Sequence, residues 1–347
     1  MTVSELDGAR VRHARLLARV EERLDRTLTG ERDRWAAVDP RGGAPAAAIA
    51  ALVGAGGKRL RPAFCVAGHL AAGGDPDDPV IADCAAALEL IHAGALLHDD
   101  VFDDAETRRG RPSAHARHAA EHTARGWRGE SRRYGESVAV LAGDLADILA
   151  DRLTAALPVP ARRVWNELLT EIVIGQHLDV AVAAESVVDP DLSQWIAICK
   201  SGRYSIQRPL QLGAAIAGRA ELGPVFAAYG EALGEAFQLR DDLIDAFGDA
   251  EAAGKPVGLD LEQHKMTLLL ALATRRDARV RELVGEPEWD LPALRARLRE
   301  IAIGAEIEAR IGSLTERAVA ALHGGGLDPA WCEELTAMAH RVAYRER

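Results

Sequence analysis

Apolar residues recur at helical spacing along almost the whole of this 347-residue chain. The run ELDGARVRHARLLARVEERLDRTL near the start separates an apolar from a charged face with the period of an α-helix. The same period returns in VAVLAGDLADILADRLTAAL, in ARRVWNELLTEIVIGQHLDVAVAA and in LPALRARLREIAIGAEIEARIGSLTERAVAAL. The breaks GGDPDDP, GEPEWDLP and HGGGLDP are short, as connections between packed helices usually are. Aromatic residues make up only 4% of the chain against 48% hydrophobic, which favours packed helices over sheets. With no linker and no fixed repeat, residues 1–347 read as one large all-α domain. One stretch departs from the pattern. SAHARHAAEHTARGWRGESRRYGES, residues 113–137, lacks apolar periodicity and reads as a polar insertion or surface loop.

The net charge of −11 argues against a nucleic-acid binder, which would be basic. Cys65, Cys84, Cys199 and Cys332 form no CxxC pair and read as free thiols in a reducing cytoplasm. The N-terminal stretch has no continuous apolar core, so no signal peptide is expected there. No charge-free apolar run of about 20 residues stands out as a membrane span.

Two acidic clusters carry the chemistry. HDDVFDD places Asp99 and Asp103 on one helix face, with Asp100 turned about 100° away. RDDLID repeats the spacing with Asp241, Asp242 and Asp245. Each cluster closes an apolar helix at its C-terminal end, where the helix dipole disfavours negative charge. A hard divalent cation would offset that cost. Magnesium takes one or two protein carboxylates and fills its other positions with water and phosphate. An EF-hand loop is absent.

The glycine-rich GAGGKRLRP is not a nucleotide P-loop. Position 52 is Leu52 where glycine is needed, and Lys58 is followed by Arg59 rather than Ser or Thr. What remains is a turn entering a helix, with Lys58 and Arg61 spaced to grip a phosphate. Arg108 and Arg109 follow the first acidic cluster, Lys200 and Arg203 lie in KSGRYSIQRP, and Lys255 and Lys265 lie near the second. Together they describe two anionic subsites, one reached through metal and one gripped by Lys and Arg. His115, His118 and His122 also share a helix face, but without a carboxylate-backed ligand set they read as solvated histidines rather than a zinc site.

GGKRLRP, HDDVFDDAETRRGRP, AGDLAD, GQHLD, KSGRYSIQRPL, FQLRDDLIDAFGD and GKPVGLDLEQHKMT follow one another in the order found in the trans-isoprenyl diphosphate synthases, and over nearly its whole length the chain resembles that polyprenyl synthetase family. The resemblance implies an all-α fold around a deep central cavity, usually as a homodimer. It implies condensation of isopentenyl diphosphate with an allylic diphosphate, dependent on Mg2+, with three ions when diphosphate is bound. By position, Asp99, Asp103 and Asp241 would bind magnesium, supported by Asp100 and Asp245. Lys58, Arg61, His92 and Arg109 would hold isopentenyl diphosphate. Arg108, Lys200 and Lys265 would hold the allylic diphosphate. Lys200, Ser201, Gln238 and Lys255 would form the reacting end, with Tyr204 and Gln176 as further candidates. Asp104 falls outside the DDxxD spacing and receives no role.

In this family bulky residues four and five positions before the first aspartate stop chain growth early. Here they are Ala95 and Gly94, so the floor moves towards Ile91 or Leu88, each about a helical turn deeper. The expected product is longer than farnesyl, with geranylgeranyl diphosphate favoured. A terpene cyclase would not need Lys58, Arg61 and Arg109, and a regulatory subunit would not keep both acidic clusters. A helical interaction protein would not respond to Mg2+ and pyrophosphate.

Overall fold

In the computed structural model, residues 3–185, 189–248 and 258–345 are described. Among the described residues the chain is all-α apart from one hairpin of two two-residue strands. It divides into two compact units. One comprises Val11–Val66 and Asp75–Pro158; the other comprises Met1–Arg10, Ala67–Gly74 and Val159–Arg347.

The first unit is built on α1 (Val3–Ala36), α2 (Ala44–Gly54), α3 (Leu60–Ala71), α4 (Pro79–Phe102), α5 (Ala114–Ala124) and α6 (Ser131–Leu153), of which α1 and α3 continue into the other unit. Asp78 caps α4 by accepting the Val80 N–H, with Pro79 at the first helical position. The helix is apolar nearly all round because it is the core helix. Ile81, Cys84, Leu88, Leu90 and Leu97 are all buried, and each such aliphatic side chain contributes about 2 kcal/mol. Its length and mean hydropathy of 1.7 would suffice to cross a membrane, contrary to the sequence reading, but 72% of its apolar window is buried inside the protein. Packing therefore accounts for its apolarity.

At the end of α4, Asp104 adopts a left-handed conformation, φ 49°. The Ala105 N–H bonds back to Asp100 O and the Asp104 N–H to Val101 O, the paired bonds that end a helix with a left-handed residue. The acid without an assigned role thus stops the helix. The chain then enters the hairpin, β1 (Thr107–Arg108) and β2 (Arg111–Pro112), through Arg109 at φ 53° and Gly110 at φ 70°. A two-residue turn with both central residues at positive φ matches the twist of the paired strands.

The segment 113–137 is not a loop. Ser113 caps α5, and α6 begins at Ser131. The inward stripe of α5 is histidine rather than leucine, so counting apolar residues misses its helical period. His115, His118 and His122 are buried, which overturns their reading as solvated. His115 bonds Ala105 O at 2.9 Å and His122 bonds Arg128 O at 3.0 Å, with Trp127 and Tyr134 against the His122 ring.

The second unit carries α7 (Val159–Glu185), α8 (Pro190–Ala197), a π-helical stretch Ile198–Gln207, α9 (Arg208–Ile216) and α10 (Gly223–Phe247). It continues with α11 (Leu259–Glu262), α12 (Leu268–Arg276), α13 (Ala278–Gly285), α14 (Leu291–Glu300), α15 (Ile303–His323) and α16 (Pro329–Ala343). π-Helical stretches are rare and are frequently found at functional sites. This one presses its Gly202 against Gly234 of α10, where a Cβ on Gly234 would overlap the Gly202 backbone. The contact brings the segment holding Lys200 against the helix that holds Gln238 and Asp241. Gly234→Ala forces the two backbones apart and is expected to cost about 3 kcal/mol. A denaturant titration giving a loss under 1 kcal/mol would refute that packing role.

Candidate active site

Within each DDxxD motif the structure separates the aspartates by environment. Asp99 and Asp103 are half-buried at the end of α4, whereas Asp100 is 1% exposed. Asp100 Oδ1 accepts from Arg108 Nε at 2.7 Å and lies 2.6 Å from Nη2, while Arg108 Nη2 also stands 3.6 Å from Asp99 Oδ2. Asp100 thus anchors Arg108 beside the acidic cluster. On α10, Asp241 is half-buried, and Asp242 and Asp245 are buried. Asp242 accepts from Gln238 Nε2 at 2.7 Å and from the Leu269 N–H of α12 at 2.9 Å. Burial pushes its carboxyl up to about 7 despite both bonds. Asp245 accepts from the Asp260 N–H at 3.2 Å. Asp241 pairs with Arg345, whose guanidinium lies 3.9 Å from the centre of the Phe237 ring.

Among the described residues no three ligating side chains stand together as a closed cage. Each cluster offers paired carboxylates one helical turn apart. That donor set fits a hard divalent cation which completes its shell with water and phosphate.

The basic residues fall into two groups. In the first unit Lys58 is exposed on the turn after α2, and Arg61 is half-buried in the first turn of α3. Arg109 reaches the same turn, donating to Leu52 O at 3.0 Å and to Gly56 O. A Cβ on Gly57 would lie 3.1 Å from the Arg109 guanidinium, so glycine permits this approach. His92 of α4 lies in the field of Arg61, Arg109, Arg108 and Arg59. Burial first, then these arginines, hold its pKa well below the ordinary value. His92 is thus neutral at pH 7 and meets an anion as a hydrogen-bonding group without charge.

A histidine that resists protonation only when folded destabilises the fold as pH drops below its unfolded value of about 6.5. His92→Gln is expected to flatten the decline of stability between pH 7 and 5. Parallel stability curves for the variant and the parent protein would refute this.

In the second unit Lys200 Nζ bonds Asp179 Oδ2 of α7 at 2.7 Å. Asp179 lies in the GQHLD motif but was not singled out as its partner. Arg203 and Arg208 both grip Glu171, at 3.1 and 2.6 Å, so Arg203 serves the scaffold. Lys265 is half-buried before α12. The Ser201 side chain and Lys255 lie outside the described residues.

The chain-length positions behave unequally. Ile91 is 4% exposed and Ala95 is half-buried. Gly94 stands against α6. Its missing Cβ would lie 3.1 Å from Gly143 O, 3.2 Å from Asp147 Oδ1 and 3.3 Å from Ala146 Cβ. Its small size serves the α4–α6 contact.

The all-α fold is that of the isoprenoid synthases. Residues 45–294 match the polyprenyl synthetase family model. The crystal structure of a geranylgeranyl pyrophosphate synthase from Corynebacterium glutamicum superposes with a TM-score of 0.86 and 34% identity, over 94% of this chain and 98% of that one. A short chain isoprenyl diphosphate synthase of Methanothermobacter thermautotrophicus is 33% identical over 234 residues, which span 65% of each chain. A nonaprenyl diphosphate synthase of Mycobacterium tuberculosis is 31% identical over 262 residues, 71% of this chain and 70% of that one. The chain belongs to the polyprenyl synthetase family, and it is a transferase of the prenyl diphosphate synthase class.

Proposed function

We propose that the protein joins isopentenyl diphosphate to an allylic diphosphate and that its main product is geranylgeranyl diphosphate. The observation that carries this reading is the presence of two kinds of anion site in one chain. Paired carboxylates on α4 and α10 suit a metal-borne diphosphate, and the Lys58, Arg61, His92 and Arg109 group suits one gripped directly. The synthase from Corynebacterium glutamicum was crystallised with isoprenyl diphosphate and magnesium, which supports the same assignment here.

In this reading Asp99, Asp103 and Asp241 hold Mg2+, three ions with diphosphate bound, and Asp100 and Asp245 steady them. Held there, Mg2+ would supply positive charge against that of the departing diphosphate. Lys200, Arg108 and Lys265 orient that diphosphate, while Gln238, Ser201 and Lys255 line the reacting end. The allylic C–O bond breaks, the isopentenyl double bond supplies the new C–C bond, and the proton released leaves with inorganic diphosphate. No side-chain base is required. Ala95 and the apolar residues behind it exclude water from the growing chain.

Residues 1–347 act as one catalytic domain, and two copies form a homodimer. Exposed apolar side chains on α7 support the dimer: Val173, Ile174 and Val180. The cysteines, all reduced and mostly buried, suit a cytoplasmic setting.

The test is incubation of the purified protein with Mg2+, labelled isopentenyl diphosphate and each allylic starter, followed by sizing of the products. Geranylgeranyl diphosphate is expected as the main product, and a cyclic hydrocarbon or no incorporation would overturn the reading. Mg2+ with pyrophosphate is expected to raise the melting temperature, by about 2.7 kcal/mol of added stability at a hundred times Kd. An unshifted melt would contradict it.

A further inference from the structure

Arg59 lies between Lys58 and Arg61 in GGKRLRP, yet its side chain is spent on three other helices. Nε bonds Glu21 Oε1 of α1 at 2.5 Å, Nη1 bonds Glu89 Oε1 of α4 at 2.6 Å, and Nη2 bonds Val53 O of α2 at 3.0 Å. Glu89 is 4% exposed and stands three residues before His92 on the same helix. The Arg59 side chain is itself only 18% exposed.

The backbone at Arg59 is also unusual. It holds φ 47°, a left-handed conformation that a non-glycine residue keeps only where its surroundings over-determine it. Gly56 and Gly57 before it are at positive φ as well. The whole turn between α2 and α3 is therefore irregular and held by side chains. Arg59 grips it through Val53 O, and Arg109 grips it through Leu52 O and Gly56 O. Lys58 and Arg61 flank the point that Arg59 fixes.

We infer that the part-buried Arg59–Glu89 pair is a positioning device for the isopentenyl diphosphate subsite, setting the Gly56–Gly57 turn so that Lys58 and Arg61 are presented alongside Arg109. The pair touches no substrate and acts through the turn. Such a charge pair could instead merely stabilise the fold. A purely structural role would lower stability and move all kinetic constants together, whereas a positioning role singles out one substrate.

The inference rests on the function proposed above. Steady-state kinetics of Glu89→Ala, with each substrate varied in turn, separates the two roles. The KM for isopentenyl diphosphate is expected to rise about tenfold or more, with kcat and the allylic KM within about twofold of the parent. Isothermal titration of isopentenyl diphosphate without metal should weaken by the same factor. Glu89→Gln keeps an oxygen acceptor for Arg59 Nη1 and is expected to recover most of the loss.

Equal rises in both KM values, an unchanged isopentenyl KM, or a glutamine variant no better than alanine would overturn the inference. Should Glu89→Ala fail to fold, Arg59→Lys carries the same test, because it keeps the charge but loses the fork to Glu21 and Val53 O. If the parent protein binds isopentenyl diphosphate but makes no prenyl product, the proposed reaction fails, and the titration alone decides the role of the pair.

Discussion

Asp99→Ala is expected to lower turnover a hundredfold to a thousandfold, about the loss seen when one group that stabilises developing charge is removed. Asp99 is the half-buried first aspartate of its motif, and its partner one turn on, Asp103, shares its face. Removing it leaves the α4 cluster with one carboxylate on that face. The departing diphosphate then carries charge that the remaining ligands offset poorly. Asp241→Ala on α10 should lose turnover on the same scale for the same reason. The fold should survive in both cases, because neither side chain is a core residue. Asp104→Gly is the contrasting control. It relieves a left-handed aspartate and should keep turnover while gaining up to about 1 kcal/mol of stability. Steady-state rates at saturating Mg2+ check the set; a loss below tenfold for Asp99→Ala would remove Asp99 from the metal site.

Ala95→Phe is expected to shorten the main product by at least one five-carbon unit. Ala95 stands four residues before Asp99, about 6 Å along the helix axis. It is half-buried, and in the proposed reading a phenyl ring there would occupy the space of the prenyl tail. Initial condensation should stay near the parent rate, because the reacting ends lie nearer the aspartates. Chromatographic sizing of products checks this, and an unchanged product distribution would show that the tail does not pass Ala95. Gly94→Phe should behave differently. The Gly94 position faces Gly143, Ala146 and Asp147 of α6, so a ring there separates two helices and should cost stability before it alters the product.

The parts of the proposed site that the sequence exposes are the local ones. A DDxxD motif is an i, i+4 pattern, and the partners that matter for its face lie within one turn. Asp99 and Asp103 could be assigned to one side of α4, and Asp100 to another, from helix geometry alone. The helix within 113–137 escapes a pattern of leucine-like residues. The inward face of α5 is His115, His118 and His122, and imidazoles are buried there by carbonyl partners at Ala105 and Arg128. A period of histidines is as regular as a period of leucines, but its burial depends on what meets the ring nitrogens.

By itself, then, the sequence determined an all-α chain, two acidic helix ends, a basic glycine turn and membership of the polyprenyl synthetase family. Each of these rests on spacing within a helix or on a short motif. Only the tertiary structure decided which neighbours those residues have. It buried Asp100 under Arg108 and Asp242 under Gln238 and the Leu269 N–H, and it gave Gly94 to the contact with α6. It also joined Arg59 to Glu21, Val53 and Glu89, residues up to 38 positions away along the chain. The physical reason is burial. A buried charge needs a partner wherever the fold can supply one, and helical periodicity specifies which face turns inward but not what waits there.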